Sequence, residues 1–573
     1  MRRWLLTIVC CCPCALSVLE RPPAVTYYVD SATGSDSKDG TSSSTAWQTI
    51  ARVNRTTFHP GDSILFRRGD IWREQLNITS SGSFGNPITF GSYGVGTPPI
   101  ISGADLVTGW GEEIGRAASL GHASGEMAWR VDRVGSTNQV FEDGNRLADS
   151  MSIDALKQGS FYFDPSNHEL HVRTLADDNP NDHAMEVSQR NYAIVEAGGK
   201  SFVTVQNLEA TAANNANIYF NGSVSITISN AFVTNSFNDG IRFDVVSNGI
   251  IDSTTAAWNG SNGISADDVP NLVIRGCTAH DNSALRNGNY TAGIKINSDY
   301  APYAPSRNVT IENSESYSNG SKQDISSEWI GAGIWADTIQ DGLLVQRNLV
   351  HSNNLMGIYL DAVNHATVAY NVVYGNGKIG AIDGGGVAVY GDGRPIAGDR
   401  VYNDTVYENP TGQIKVRGAS LERGCENLAV QNNIALGTPS GANLVVTGGC
   451  ENDGTRGSGN VYSYNALGPE YSGFIEFGDR RFLSTYRDFD GAVGEVTHSV
   501  TGDVSFANAR ANDFTLLPTS PAIGAGIDLG PSFLLGLSPG STWPLKVRTS
   551  EQNSNGTGWV VGAYVLRRTQ SKP

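Results

Sequence analysis

Along the middle of the chain, apolar and polar residues alternate in short runs bounded by Gly, Asn, Asp and Ser. Period-two alternation marks a strand with one buried face. One unit recurs: apolar-x-apolar-x-x-Asn, a loop, then Gly-Ile-x-x-Asp or a variant of it. Its Asn falls at Asn235, Asn259, Asn282, Asn319, Asn353, Asn376 and Asn409. Successive copies lie 23 or 24 residues apart, or 33 to 37 where a loop is inserted. A unit this short cannot bury its own face, so it must stack on its neighbours. The pattern predicts an all-β fold, a right-handed parallel β-helix (solenoid), in which the Asn side chains form a ladder from coil to coil.

The strand after each Asn reads Asn217-Ile218-Tyr219-Phe220-Asn221, Gly240-Ile241-Arg242-Phe243-Asp244 and Gly263-Ile264-Ser265-Ala266-Asp267. It continues as Gly293-Ile294-Lys295-Ile296-Asn297, Gly333-Ile334-Trp335-Ala336-Asp337 and Gly357-Ile358-Tyr359-Leu360-Asp361, with irregular copies at 386–390 and 413–417. Side chains alternate across a strand, so the second and fourth positions face the core and the third and fifth face solvent. Stacking makes two outward columns. One runs Tyr219, Arg242, Ser265, Lys295, Trp335, Tyr359, Ala388, Lys415; the other runs Asn221, Asp244, Asp267, Asn297, Asp337, Asp361, Tyr390, Arg417. Carboxylates about 4.8 Å apart repel, and a fold alone would be better served there by Ser, Thr or Asn. The acidic column is therefore the candidate site.

Composition fits this picture. The 573 residues include 66 Gly and only 17% charged residues. A net charge of −17 with no Lys/Arg cluster excludes nucleic-acid binding and attraction to anionic membranes. The chain opens Met1-Arg2-Arg3, followed by a short apolar run and Cys10, Cys11, Cys12 and Cys14. It reads as a signal peptide over 1–24, giving a secreted or periplasmic protein, expected to be monomeric and without a membrane-inserted segment. Cys425 and Cys450 lie about one coil apart and are candidates for a disulfide; Cys277 falls in a core strand. No Cys/His spacing suggests zinc, and no metal ligand is assigned.

The regions outside the repeat carry a resemblance. From Thr26 the chain reads Tyr-Tyr-Val-Asp-Ser-Ala-Thr-Gly-Ser-Asp, then Ala46-Trp47-Gln48-Thr49-Ile50, Gly61-Asp62-Ser63-Ile64-Leu65-Phe66 and Pro98-Pro99-Ile100-Ile101-Ser102-Gly103. Near the far end stand Ser520-Pro521-Ala522-Ile523-Gly524-Ala525-Gly526 and Trp559-Val560-Val561-Gly562-Ala563-Tyr564. These resemble the opening and closing segments of secreted β-helix carbohydrate-active proteins of the pectate-lyase-like superfamily. Residues 104–190 break the coil pattern, with a hairpin over 159–173, and resemble the small β insertion of β-helical glycoside hydrolases of the family 120 and 141 kind. The expected layout is a cap and first coils over 25–103, the insertion over 104–190, central coils over 191–450, and C-terminal coils and cap over 451–573.

The resemblance implies a polysaccharide as partner. Glycoside hydrolysis needs two carboxyls flanking the scissile bond, about 5–5.5 Å apart for retention or 6.5–9.5 Å for inversion. Asp337 and Asp361 on adjacent coils fit the shorter spacing; Asp267 and Asp337, with Asn297 between them, approach the longer. Trp335 and Tyr359 offer faces for sugar rings, and Arg242, Asp244, Asn297 and Glu328 would shape subsites. A lyase or epimerase would instead use Lys295 as base, with calcium on Asp244 and Asp267. Hydrolysis requires no cofactor, and Ca2+ remains open as a ligand of the column. A non-catalytic carbohydrate binder is the third reading.

Overall fold

The computed structural model describes residues 23–566 except 114–126, 133, 197, 286–289, 299–304, 321–328, 340, 378–383, 420–423, 438–440, 453–456, 480, 554, 555 and 557. Residues 1–22 of the proposed signal segment and Glu328 lie outside these residues. Three sheets run the length of a right-handed β-helix, two of thirteen strands and one of eleven, parallel throughout except for the antiparallel last strand Phe482–Leu483 of one of them. The sheet carrying the outward columns includes Ala216–Asn221, Ile241–Asp244, Ile264–Asp267, Thr291–Asn297, Ile330–Asp337, Met356–Asp361, Gly385–Tyr390 and Ile414–Arg417. Its register is the expected one throughout, for example Asn297↔Asp337 and Asp337↔Asp361. The inward positions, Ile218/Phe220 through Ile358/Leu360, are buried in one continuous core.

The Gly-Ile step has a physical cause. Asn259, Asn282, Asn319, Asn353 and Asn376 each donate Nδ2 to the side-chain oxygen of the next Asn at 2.8–3.0 Å, ending at Asn409. Each of these amides lies against the Gly that opens a neighbouring strand. A Cβ on Gly263, Gly293, Gly333 or Gly357 would come within 2.6–2.7 Å of an Asn Nδ2. Only glycine lets the ladder and the strand approach so closely.

Asn235 does not belong to this ladder. It is partly exposed and adopts a left-handed φ of 59°, while Ser236, 23 residues before Asn259, takes the rung and donates its hydroxyl to Asn259 Oδ1 at 2.9 Å. A second ladder, unforeseen in the sequence, runs Asn348, Asn371, Asp404, Asn433, Asn465. Cys425 and Cys450 form a disulfide, and Cys277 is a buried free thiol.

Residues 104–188 form a four-stranded and a five-stranded sheet around their own apolar cluster. Ser160–Asp164 and Glu169–Arg173 pair as the expected hairpin. Arg146 ties the insertion to the coils by donating to the Ser236 and Trp258 carbonyls at 3.2 and 3.0 Å. The C-terminal segment departs from the layout read off the sequence. After Ile475–Phe477 the coils stop, and the chain turns back along the side of the β-helix. Trp543 donates to the Arg347 carbonyl, Asn403 to that of Val560, and Ala563 N–H to Thr405 Oγ1. The apolar motifs over 514–565 bury the outer side chains of earlier coils, including Tyr370 and Val372. Among the described residues no helix is long and apolar enough to cross a membrane.

Candidate active site

The two outward columns stand on a rigid sheet, but they are not uniformly wet. Trp335, Tyr359, Asp361 and Tyr390 are 1–7% exposed, which corrects the expectation that these positions face solvent. They point away from the core and are buried by an outer layer of their own, formed with Leu355, Met356 and Trp329. Trp329, just before Ile330–Asp337, stacks on Tyr359 at 5.7 Å and 15°. Trp335 and Tyr359 lie 4.8 Å apart, and Tyr390 meets Tyr359 edge-on at 5.5 Å.

These rings enclose a cavity of about 300 Å³ that Asp361, Asp392 and Arg417 also line. Inside this wall Asp361 Oδ1 and the Trp335 indole Nε1 have no hydrogen-bond partner among the described residues. An unsatisfied buried polar group costs about 1–3 kcal/mol, so the pair is better explained by a polar guest than by folding.

Burial, then the charges of Asp337 and Asp392, push the Asp361 carboxyl up to about 7, against the opposing effect of the Tyr359 hydroxyl and Lys295. The Tyr359 phenol is driven far upward by burial and by Asp361, so it stays a neutral donor. Lys295 donates to the Tyr290 carbonyl at 2.9 Å and lies over the Trp335 ring at 4.6 Å. Burial lowers its pKa, while Asp337 and Asp267 oppose that.

The earlier coils form a different environment on the same face. Arg242 threads the acids, 3.0 Å from Asp244, 3.6 Å from Asp267 and 3.7 Å from Asp239. Tyr219 donates to Asp244 at 3.0 Å. Asp244 and Asp267 are thus paired with a cation, whereas Asp361 sits in an aromatic, poorly hydrated wall. Asn297 stands between Asp267 and Asp337 in the column. The structure places Lys295, Trp335, Asp337, Tyr359 and Asp361 together and pairs Arg242 with Asp244 and Asp267, of which Asp267 also acts on the Lys295 charge. Tyr390 and Arg417, the last members of the acidic column, line the same cavity, and the structure adds residues the repeat did not signal: Tyr290 and Trp329 from outside the repeated strands, and Asp392 from the turn after Gly385–Tyr390. A Gly-Asp-Gly turn directly after a strand was the one available sequence cue for Asp392.

A neutral acid beside an adjacent acid, both next to stacked aromatics, can donate a proton to a leaving group while its neighbour stabilises positive charge. Residues 183–456 match the family described as the right-handed β-helix region. The structure of XylC in complex with xylose superposes at TM-score 0.55 over 72% of this chain and 76% of that one, at 14% identity. A GH136 lacto-N-biosidase from Eubacterium ramulus superposes at TM-score 0.43 over 79% and 68%, also at 14% identity. In sequence, a lacto-N-biosidase of Bifidobacterium longum subsp. longum is 36% identical over 95 residues, covering 15% of this chain and 6% of that protein's length.

Proposed function

Starting from a right-handed parallel β-helix of the pectate-lyase-like kind, we propose that this protein is an exported polysaccharide-degrading enzyme, a glycoside hydrolase. Asp361 is the general acid and Asp337 the ionised partner, as nucleophile or base. The observation that carries this reading is the Asp361 carboxyl, nine-tenths buried in an aromatic wall, raised to about 7 and with one oxygen unpartnered. Most of that carboxyl is protonated below neutrality, which a leaving-group acid requires, and Asp337 supplies the negative charge that keeps it so. Adjacent coils lie about 4.8 Å apart, nearer the separation for retention than for inversion. Trp335, Tyr359 and Trp329 would seat sugar rings. The likeness to proteins whose names are those of carbohydrate-active enzymes supports the substrate class.

One observation favours a second reading, a lyase or epimerase with Lys295 as base: burial lowers the Lys295 pKa, and a base must be able to lose its proton. Digestion of a glycan panel, with and without EDTA, separates the two. Hydrolysis predicts new reducing ends without ultraviolet-absorbing unsaturated products, insensitive to EDTA and abolished in Asp361→Asn. Unsaturated products lost in Lys295→Ala would overturn the hydrolase in favour of the lyase.

A further inference from the structure

Along the axis of the β-helix the two sides of the Asp337–Asp361 pair are built differently. Towards the earlier coils the outward columns continue as Asn297, Asp267 and Asp244 and as Lys295 and Arg242, all partly exposed. Towards the later coils they are covered. Tyr359 is followed by Ala388 and Lys415, at 1% and 8% exposure, and Asp361 by Tyr390, at 6%. Only then does the acidic column reach an exposed residue, Arg417, at the far lip of the cavity. Hydrogen bonds pin this covered side. Lys415 Nζ donates to the Gly384 carbonyl at 2.7 Å, and Gly391 N–H to that of Arg417 at 2.9 Å.

On the hydrolase reading above, we infer that this cavity receives one terminal sugar unit and that the enzyme works from chain ends. The rest of the chain would leave over Lys295, Asn297 and Asp267.

The wall is the first reason. Tyr390 stands one coil beyond Asp361 and meets Tyr359 edge-on at 5.5 Å. A chain bound through the site in that direction would have to pass where this ring and the turn Gly391–Gly393 line the cavity. Size is the second. A volume of about 300 Å³ is the share of about ten waters at ~30 Å³ each, room for one sugar ring and not for a run of them.

The third reason is chemical. Asp392 and Arg417 line the closed end and offer it an acceptor and a fork of donors. A terminal unit keeps the hydroxyl that an internal unit has given up to the next glycosidic bond. Groups that bond this hydroxyl select a chain end by the bond they make and by the room they deny to a further ring. Trp335, Tyr359 and Trp329 take the apolar faces of the unit. Asp361 Oδ1 and Trp335 Nε1, without partners among the described residues, then find them in the bound sugar.

The test uses a pentasaccharide labelled at its reducing end, prepared from the panel glycan that the full chain depolymerises. Action on chain ends predicts a labelled tetrasaccharide or a labelled monosaccharide as the first product. Labelled di- and trisaccharides should form at least about a hundredfold more slowly. Tyr390→Ala, shown to be folded by its melting curve, should open the closed end and raise internal cuts at least about tenfold; should it unfold, the wild-type product profile decides alone. Labelled di- or trisaccharide as the first wild-type product would overturn this inference and leave the hydrolase standing. Cleavage of no panel glycan would instead remove the hydrolase, and this inference with it.

Discussion

Asp404 occupies a rung of the second ladder where its neighbours are asparagines, and replacing it with Asn should stabilise the protein in a pH-dependent way. Asn371 and Asn433 each donate Nδ2 twice, to a carbonyl of an earlier coil (Val345, Val401) and to the next side chain. Asp404 Oδ1 accepts from Asn371, but its Oδ2 sits where those donors would be and has no partner. Burial pushes the carboxyl up to about 8 from an ordinary value of 3.8. The folded chain therefore holds a proton that the unfolded chain releases. Stability from this group is complete below about pH 4 and is lost as pH rises towards 8. At about pH 7 the loss is ~1.4 kcal/mol for each of roughly three pH units, or about 4 kcal/mol.

Asp404→Asn removes that loss and adds one or two buried hydrogen bonds of about 1 kcal/mol each. With an unfolding entropy of ~2.1 cal/mol/K per residue, a chain of 573 residues has a denaturation entropy of about 1.2 kcal/mol/K. The melting temperature should rise by about 2 °C at about pH 4.5 and by about 5 °C at about pH 7.5, with activity unchanged. Calorimetry of both proteins across that range reads the difference directly, and Asp399, raised similarly, cancels between them. A gain independent of pH, or a loss at about pH 7.5, would refute the reasoning that Asp404 is held neutral.

Other outcomes follow from the same physics. Because Asp361 must be protonated to act as acid, kcat/KM on a natural glycan should fall as pH rises through about 7; Asp392→Asn should move that limb to lower pH by removing a nearby charge. Asn353→Ala should lower stability by about 3 kcal/mol or more, measured in denaturant, since it removes the Oδ1 that accepts from both the backbone N–H and the side-chain amide of Asn319 and the Nδ2 that donates to the Ser316 carbonyl and to Asn376. Reducing Cys425–Cys450, which closes a loop of 25 residues, should cost about 3 kcal/mol and lower the melting temperature by about 3 °C. Trp335→Ala should raise KM for oligosaccharides at least about tenfold by opening the aromatic wall.

The repeat made the fold legible because period-two alternation, a regular coil length and the Gly-Ile step all describe one strand. The same alternation fixed the register of Asp337 and Asp361, since slipping by one residue would put both in the core. Burial of the outward columns was legible only in part: the length of sequence before Gly333, which carries Trp329, is a cue to a wall on the groove, but Tyr290 and the turn at Asp392 obey no period. Asn235 misled because it is one residue out of step with a rung that Ser236 fills. The C-terminal segment has strand-like motifs, and only tertiary packing decides that they cover the coils instead of extending them.

The central claim is that Asp361 delivers a proton to the leaving group while Asp337 acts on the sugar itself. The direct test compares hydrolysis of a natural oligosaccharide with that of an aryl glycoside of the same sugar whose phenol needs no protonation. Asp361→Asn should lose at least about a hundredfold on the oligosaccharide and keep most of its rate of aryl release in the first turnover, whereas Asp337→Asn should lose both. Equal losses on the two substrates in Asp361→Asn, or full activity in either variant, would contradict the assignment.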